Sequence, residues 1–328
     1  MKIEDFITIY RKGGFRINKI AGHYFLHRTW MNYSFPQLID IHLNDTLINS
    51  LKWRHPLTVI KTECRIKNAY EFILETSDYS IDKFAIKKRN NIRKSQKDCS
   101  FKHPSLEDLQ SFGLRINQQT LKRQERSDKY LCDCKCWKKC ITSLYNQPDI
   151  SILGAYISDR MVGYLIIGKI NENYYITHPY FDKDASSSSP MPGLIFSMVN
   201  QLIARDGKIR ISYGFDSFNP LPDLVKYKLS MLFHRVPTTR VYVINPILLF
   251  FLKMVLFYHF GILKQKNSTN RIVRKIVSLV QGSRILVKLK NPPLEKVNRK
   301  SHLQRSKLSF LSAHHDKAKT TEFLKLHL

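Results

Sequence analysis

Three strand-like runs, Ile152 to Ile157, Met161 to Lys169 and Tyr174 to Phe181, follow one another with only short polar connectors, Ser158-Asp159-Arg160 and Asn171-Glu172-Asn173. Connectors of that length cannot hold a crossover helix, so consecutive runs must pair antiparallel as a meander. The flanking periodicities extend the order. A strand at Ser100 to His103 and a helix start at Ser105-Leu106-Glu107-Asp108 precede the meander. One helix is predicted to about Arg126 and another over Asp128 to Tyr145. After the meander come a Ser-rich loop and an amphipathic helix, Gly193 to Arg205, stopped by Asp206-Gly207. Then follow a strand at Ile209 to Phe215, a helix at Pro222 to Phe233 and a strand at Thr239 to Ile244. Earlier in the chain, Phe35 to Trp53 reads as helix, Leu57 to Cys64 and Tyr70 to Thr76 as strands, and Ile81 to Lys97 as a very basic helix.

At 328 residues, 43% hydrophobic and 12% aromatic, the chain can bury a core in one large or two moderate domains. Its net charge of +28 predicts attraction for nucleic acid, anionic lipid or a polyanionic substrate without choosing among them; the alternative is a solvated basic surface. Met1 to Gly14 has charges and no apolar stretch, so no secretory signal is expected there, and the six cysteines are expected to be reduced thiols in a cytoplasmic protein. The run Ile247 to Phe260, interrupted by Lys253 and His259, is shorter than the ~20 apolar residues that span a bilayer. It is read as a helix docked across the sheet or, alternatively, as a shallow anchor at the inner face of the membrane.

From Ser100 to Asn245 this order resembles the GNAT acyltransferase fold. Two patterns resemble its Fem-type branch, the peptidoglycan bridge-forming aminoacyltransferases: the basic helix Lys88-Arg89-Asn90-Asn91-Ile92-Arg93-Lys94-Ser95, and Leu224-Val225-Lys226-Tyr227-Lys228-Leu229-Ser230-Met231-Leu232, in which Leu232 stands where glycine is usual. The resemblance implies an α/β (α+β) fold: a mixed, mainly antiparallel sheet flanked by helices, in two GNAT-like halves. Residues 1–98 would be a degenerate N-terminal half, 99–245 the acyltransferase half, 246–290 C-terminal helices and 291–328 a mobile basic tail.

The resemblance also implies a site. In GNAT enzymes a coenzyme A pyrophosphate rests on the helix start after the meander, here Ser186 to Gly193, because free amides and the helix dipole favour an anion. Only Gly193 matches that loop; Ser188 and Met191 occupy the other positions, and Pro192 removes an amide. Ser188, Ser189 and Gly193 are therefore candidate donor contacts, with acyl-CoA or acetyl-CoA expected first and aminoacyl-tRNA second; a plain Ser linker is the alternative. Tyr175 and Thr177 are candidates beside the acyl carbonyl, where the strands of this fold part, and Pro179 suits a lapse in pairing. Asp216, Tyr227 and Asp182 are candidates for proton transfer, and Lys228, Arg89, Arg93 and His178 for holding substrate.

Cys132, Cys134, Cys136 and Cys140 fall at helical spacing, where buried thiols account for them without metal, and none is expected. The basic helix lacks the aromatics of a single-strand reader, which leaves tRNA or lipid headgroups as phosphate partners. The expected function is transfer of an acyl or aminoacyl group to an amine or hydroxyl of a sugar, peptide or envelope precursor. The competing reading is a non-catalytic module on the same scaffold that binds tRNA or anionic membrane.

Overall fold

The computed structural model describes residues 1–28, 31–64, 66–124, 128–216 and 222–259, together with Leu279. These belong to one unit, Met1–Leu289; the expected tail at 291–328 lies outside the described residues. The chain opens with α1 (Ile3–Lys12), which buries Phe6, Ile7 and Tyr10 on one face, then β1 (Ile17–Ile20), β2 (His23–Arg28) and β3 (Met31–Ser34). Next come α2 (Asp45–Arg54), β4 (Leu57–Thr62), β5 (Ala69–Thr76), the basic α3 (Ile86–Asp98) and β6 (Ser100–Lys102).

The first helical stretch before the meander starts where Ser105 caps the amide of Asp108. It runs as α4 (Leu106–Asp108), a π-turn at Leu109–Gly113 and α5 (Leu114–Arg123). The second stretch is not one helix. Asp133 is extended and its carboxylate accepts from the amide of Cys136, so the chain breaks into α6 (Lys129–Cys132) and α7 (Cys134–Leu144). An Asp cap in the middle of an apolar periodicity wins over its continuation. All six cysteines are free, and among the described residues no group of three or more His, Cys, Asp or Glu is arranged to hold a metal.

The meander is β7 (Ile150–Ile157), β8 (Arg160–Ile170) and β9 (Asn173–Phe181), with Ser158 and Asn171 at positive φ in its two turns, as tight hairpins require. Then α8 (Pro190–Asp206) ends at Gly207, whose φ of 71° suits glycine. The last elements are β10 (Ile209–Phe215), α9 (Pro222–Ser230), β11 (His234–Ile244) and α10 (Pro246–His259).

The strands form one sheet in the order β1-β2-β3-β4-β11-β5-β10-β9-β8-β7-β6. Only β3–β4 and β9–β10 are parallel; all other neighbours run antiparallel. Thus the sheet is mixed and mainly antiparallel. β11 joins its two parts: His234–Thr238 pairs with β5, and Thr239–Ile244 pairs with β4. Strand alternation then assigns the helices to faces. Val241 and Val243 pack with Leu47 and Leu51 of α2, while Tyr242 and Ile244 pack with Leu248, Leu249 and Leu252 of α10. Across the meander, α3 and α8 cover one face through Ile92, Leu194 and Ile195, and α1 and α7 cover the other through Phe6, Trp137 and Ile141.

Two differences from sequence expectation have clear causes. Helix over Phe35 to Trp53 is limited to α2, because Asn44 is extended and caps the amide of Leu47 at 2.8 Å. Ile41, which seemed part of the helical stripe, is buried from a loop whose amide bonds the Lys61 carbonyl. At Leu232 the backbone takes φ 64°, the conformation glycine favours, so the residue that departs from the Fem-type pattern keeps its backbone shape.

Candidate active site

β9 and β10 run side by side for three residue pairs only, Arg210 with Asn173, Ile211 with Tyr174 and Ser212 with Tyr175. Beyond them the strands have no register partners in one another. Two local features turn them apart. In β9 the register against β8 shifts from Ile167–Ile176 to Ile166–His178, which makes Thr177 the extra residue of a bulge; its hydroxyl donates to the Ile166 carbonyl at 3.1 Å. In β10, Gly214 has φ 79° and gives its amide to the Ser212 hydroxyl, not to a strand. Ser212 in turn donates to the buried carboxylate of Glu71, which pairs with Lys61 at 3.0 Å. The chain at Pro179 carries no N–H at all, so a lapse in pairing there leaves no orphan donor.

The bulge also reverses the alternation of β9. Tyr175, His178 and Tyr180 consequently border one cavity of about 250 Å³, on the face covered by α1. Phe6, Tyr10, Phe15 and Phe35 supply its apolar wall, and Gly214 of β10 borders it too. The polar groups at the rim are Arg28 and Asp128, which form an ion pair; Arg28 also lies 4.7 Å from the Tyr130 ring centroid. His178 bonds Thr177 through Nδ1 at 2.9 Å. Burial, with the Arg28 charge adding to it, lowers the imidazole pKa to about 3, so it is neutral near pH 7. Sequence reasoning missed Arg28, Asp128 and Tyr10. No local pattern marks them, because Arg28 and Asp128 are 100 positions apart and meet only in the fold.

On the opposite face, the start of α8 offers few free amides. Pro190 and Pro192 remove two amides from the first turn of α8, and Pro190 to Gly193 are all buried. Gly193 serves helix packing: a Cβ there would lie 2.2 Å from Ser95 Oγ and 2.3 Å from the Phe101 ring, so α3 packs directly on the first turn of α8. Ser186 to Ser188 lie in a 3-10 turn, and Ser189 takes a left-handed φ of 53° without a side-chain cap. Ser188 and Ser189, expected as donor contacts, are partly buried ahead of a helix start that offers few free amides, and Gly193 is buried against α3.

The other expected residues divide. Tyr227 on α9 has a buried hydroxyl with no hydrogen-bond partner among the described residues, burial raises its pKa well above the usual value, and Lys88 of α3 lies 4.7 Å from its ring centroid. Asp216 ends β10 half-buried; its backbone is fixed by the Tyr70 carbonyl and the Arg240 guanidinium. Asp182 is different. It is fully buried, ion-paired with Arg115 and Arg160, and bonded to the amide of Asp184, so its carboxylate holds the end of β9. Lys228 is also turned inward. Its ammonium donates to the Tyr213 carbonyl at 3.1 Å, sits over the Phe72 and Tyr213 rings, and is lowered by burial to about 8, with Asp216 opposing the shift. Asp182, expected in proton transfer, and Lys228, expected to hold substrate, both have their charged groups engaged in fixing strand ends. Arg89 is tied to Asp82 and the Phe84 carbonyl, whereas Arg93 is exposed.

No protein-family model matches the chain, and no curated protein matches it. Solved structures do. FemX is similar at 9% identity, over 75% of this chain and 93% of that one, with a TM-score of 0.50. The C-terminal domain of a putative lysylphosphatidylglycerol synthetase from Agrobacterium fabrum is similar at 10% identity over 76% and 90%, TM-score 0.49. L-PGS from Bacillus licheniformis is similar at 14% identity over 76% and 89%, TM-score 0.43. The likeness to FemX shows the fold, a mixed and mainly antiparallel sheet flanked by helices.

Proposed function

We propose that the chain is an acyltransferase that moves an acyl or aminoacyl group from an activated donor to an amine or hydroxyl of a sugar, peptide or envelope precursor. The observation that carries this reading is the parting of β9 and β10 at the Thr177 bulge, beside a cavity sized for a single side chain or acyl group. The fold shared with FemX and the sequence resemblance to Fem-type aminoacyltransferases point the same way.

An aminoacyl ester of tRNA suits the site better than acyl-CoA. The α8 start offers little to a diphosphate, whereas α3 presents exposed Lys87, Arg93, Lys94 and Lys97 along the helix whose Lys88 meets Tyr227. In the reaction the acceptor's lone pair adds to the ester carbonyl carbon. The new C–N or C–O bond forms, the bond to the ribose oxygen breaks, and that oxygen leaves with a proton. Backbone amides at the parted edge near Thr177 and His178 would hold the oxyanion. The Tyr227 hydroxyl, still protonated at neutral pH, gives the proton to the leaving oxygen, and the Asp216 carboxylate takes one from the acceptor. His178 is too weak a base for that task and serves as a neutral hydrogen-bonding wall.

The test is a single-turnover assay with aminoacyl-tRNA and with acetyl-CoA, coupled to equilibrium titration of a non-hydrolysable 3′-amide aminoacyl-tRNA and of coenzyme A. Transfer from, and tight binding of, the tRNA ester is expected. Binding of tRNA without transfer would support the non-catalytic module, which the α8 start, poor in free amides, also favours. Tight coenzyme A binding without tRNA affinity would contradict the donor assignment.

A further inference from the structure

Helix α10 has two apolar faces and the sheet uses only one. Leu248, Leu249 and Leu252 pack on Leu57, Val59, Tyr242 and Ile244. Ile247, Phe250, Phe251 and Met254, spaced i, i+3, i+4 and i+7, form a second stripe that is 40–60% exposed. A stripe of large apolar residues facing water marks an interaction surface more often than chance exposure does.

The neighbouring element adds an aromatic. Asn245, which caps α10 through the amide of Ile247, also donates from its side chain to the Lys52 carbonyl and from its backbone to the Pro56 carbonyl. The end of α2 is thereby fastened to the start of α10, and there Trp53 is 67% exposed between the cations Lys52 and Arg54. Charge chooses the partner. From Leu224 to Leu294 the sequence has thirteen Lys or Arg and no Asp or Glu, and Lys253 lies exposed within α10 itself. No helix among the described residues is long and apolar enough to cross a membrane. An exposed apolar stripe in a chain segment without acidic residues, with an exposed Trp at the end of the helix fastened to its start, has the chemistry of a helix lying in the interface of an anionic bilayer. RNA would meet the same charge but would leave the aliphatic side chains of the stripe without a partner.

We propose that the exposed stripe of α10, with Trp53 at its head, docks this protein on anionic membrane, with Ile247, Phe250, Phe251 and Met254 entering the headgroup–acyl boundary. This surface is separate from the parted strands, so it stands or falls independently of the transfer reading.

The experiment is partition of the full chain onto phosphatidylcholine vesicles with and without roughly a third phosphatidylglycerol, read by sedimentation and by Trp fluorescence. Binding to the anionic vesicles is expected to be at least about tenfold stronger than to neutral ones and to weaken with salt. A blue shift is expected that Trp53→Phe removes. The double variant Phe250→Ser/Phe251→Ser is expected to lose about tenfold or more of the anionic partition at an unchanged melting temperature. Unchanged partition of that variant would overturn the proposal by leaving charge alone responsible. Absence of vesicle binding would overturn it as well. So would a concentration-dependent dimer, or tRNA binding without vesicle affinity, that the double variant abolishes, because the stripe would then be covered by a second copy or by RNA.

Discussion

The start of α8 and the carboxyl ends of β9 and β10 lie on one scaffold, and they have opposite fates. The first was expected to hold a donor diphosphate, yet two prolines remove amides from its first turn and Ser95 packs on Gly193. The second leaves a strand edge unpaired and a cavity beside it, lined by Tyr175, Thr177 and His178. Binding capacity follows unmet polar groups and unfilled space, not the place where a motif is expected.

The sharpest way to break this contrast is at Gly193. Gly193→Val should cost about 3 kcal/mol or more of stability, because the new methyls collide with Ser95 and Phe101 in the α3–α8 contact. Urea unfolding measures it, and Ser95→Gly should restore part of the loss in the Gly193→Ala background. A stable Gly193→Val protein that merely lost donor affinity would reopen the α8 start as a phosphate site. Asp182→Ala should cost less, about 1–3 kcal/mol by the same measurement, since Arg115 and Arg160 are half-exposed and can rehydrate. A catalytic loss at full stability would instead return Asp182 to the chemistry.

In the proposed chemistry, Tyr227→Phe should slow single-turnover transfer by about a hundredfold without lowering stability, because the hydroxyl it removes has no hydrogen-bond partner among the described residues. His178 sharpens the same region through pH. Its folded pKa of about 3 is below the ordinary 6.5, so the unfolded chain binds the proton first and stability falls as pH drops from 6.5 toward 3. Denaturation in that window should be flatter for His178→Leu. The smallest effect is expected at Leu232. Its left-handed φ means that Leu232→Gly relieves strain while losing side-chain packing, leaving a net change within about 0.5 kcal/mol in thermal unfolding.

Much of the fold was legible because short-range signals agreed with the tertiary outcome. The hairpin connectors at Ser158 and Asn171, the stop at Gly207 and the cap at Ser105 all act within a few residues. The helix expected over Phe35 to Trp53 fell short because Ile41 is buried and Leu38 partly buried from a loop, which periodicity alone cannot distinguish from a helical face. The site was legible in part. Tyr175, Thr177 and His178 line the cavity and could be picked out from their places in the element order, whereas Arg28, Tyr10 and Asp128 join them only through long-range packing and Asp216 and Tyr227 do not line it. Lys228 illustrates the reverse: a residue marked by its motif turns inward to hold the Tyr213 carbonyl.

The most direct measurement is a crystal structure of the full chain with a stable amide analogue of a 3′-aminoacyl adenosine. The account predicts the aminoacyl carbonyl oxygen within hydrogen-bond distance of a backbone amide at the Thr177–His178 bulge, with the Tyr227 hydroxyl on the nitrogen that replaces the ribose oxygen. An analogue bound at the α8 start, or β9 and β10 paired along their full length around it, would contradict it.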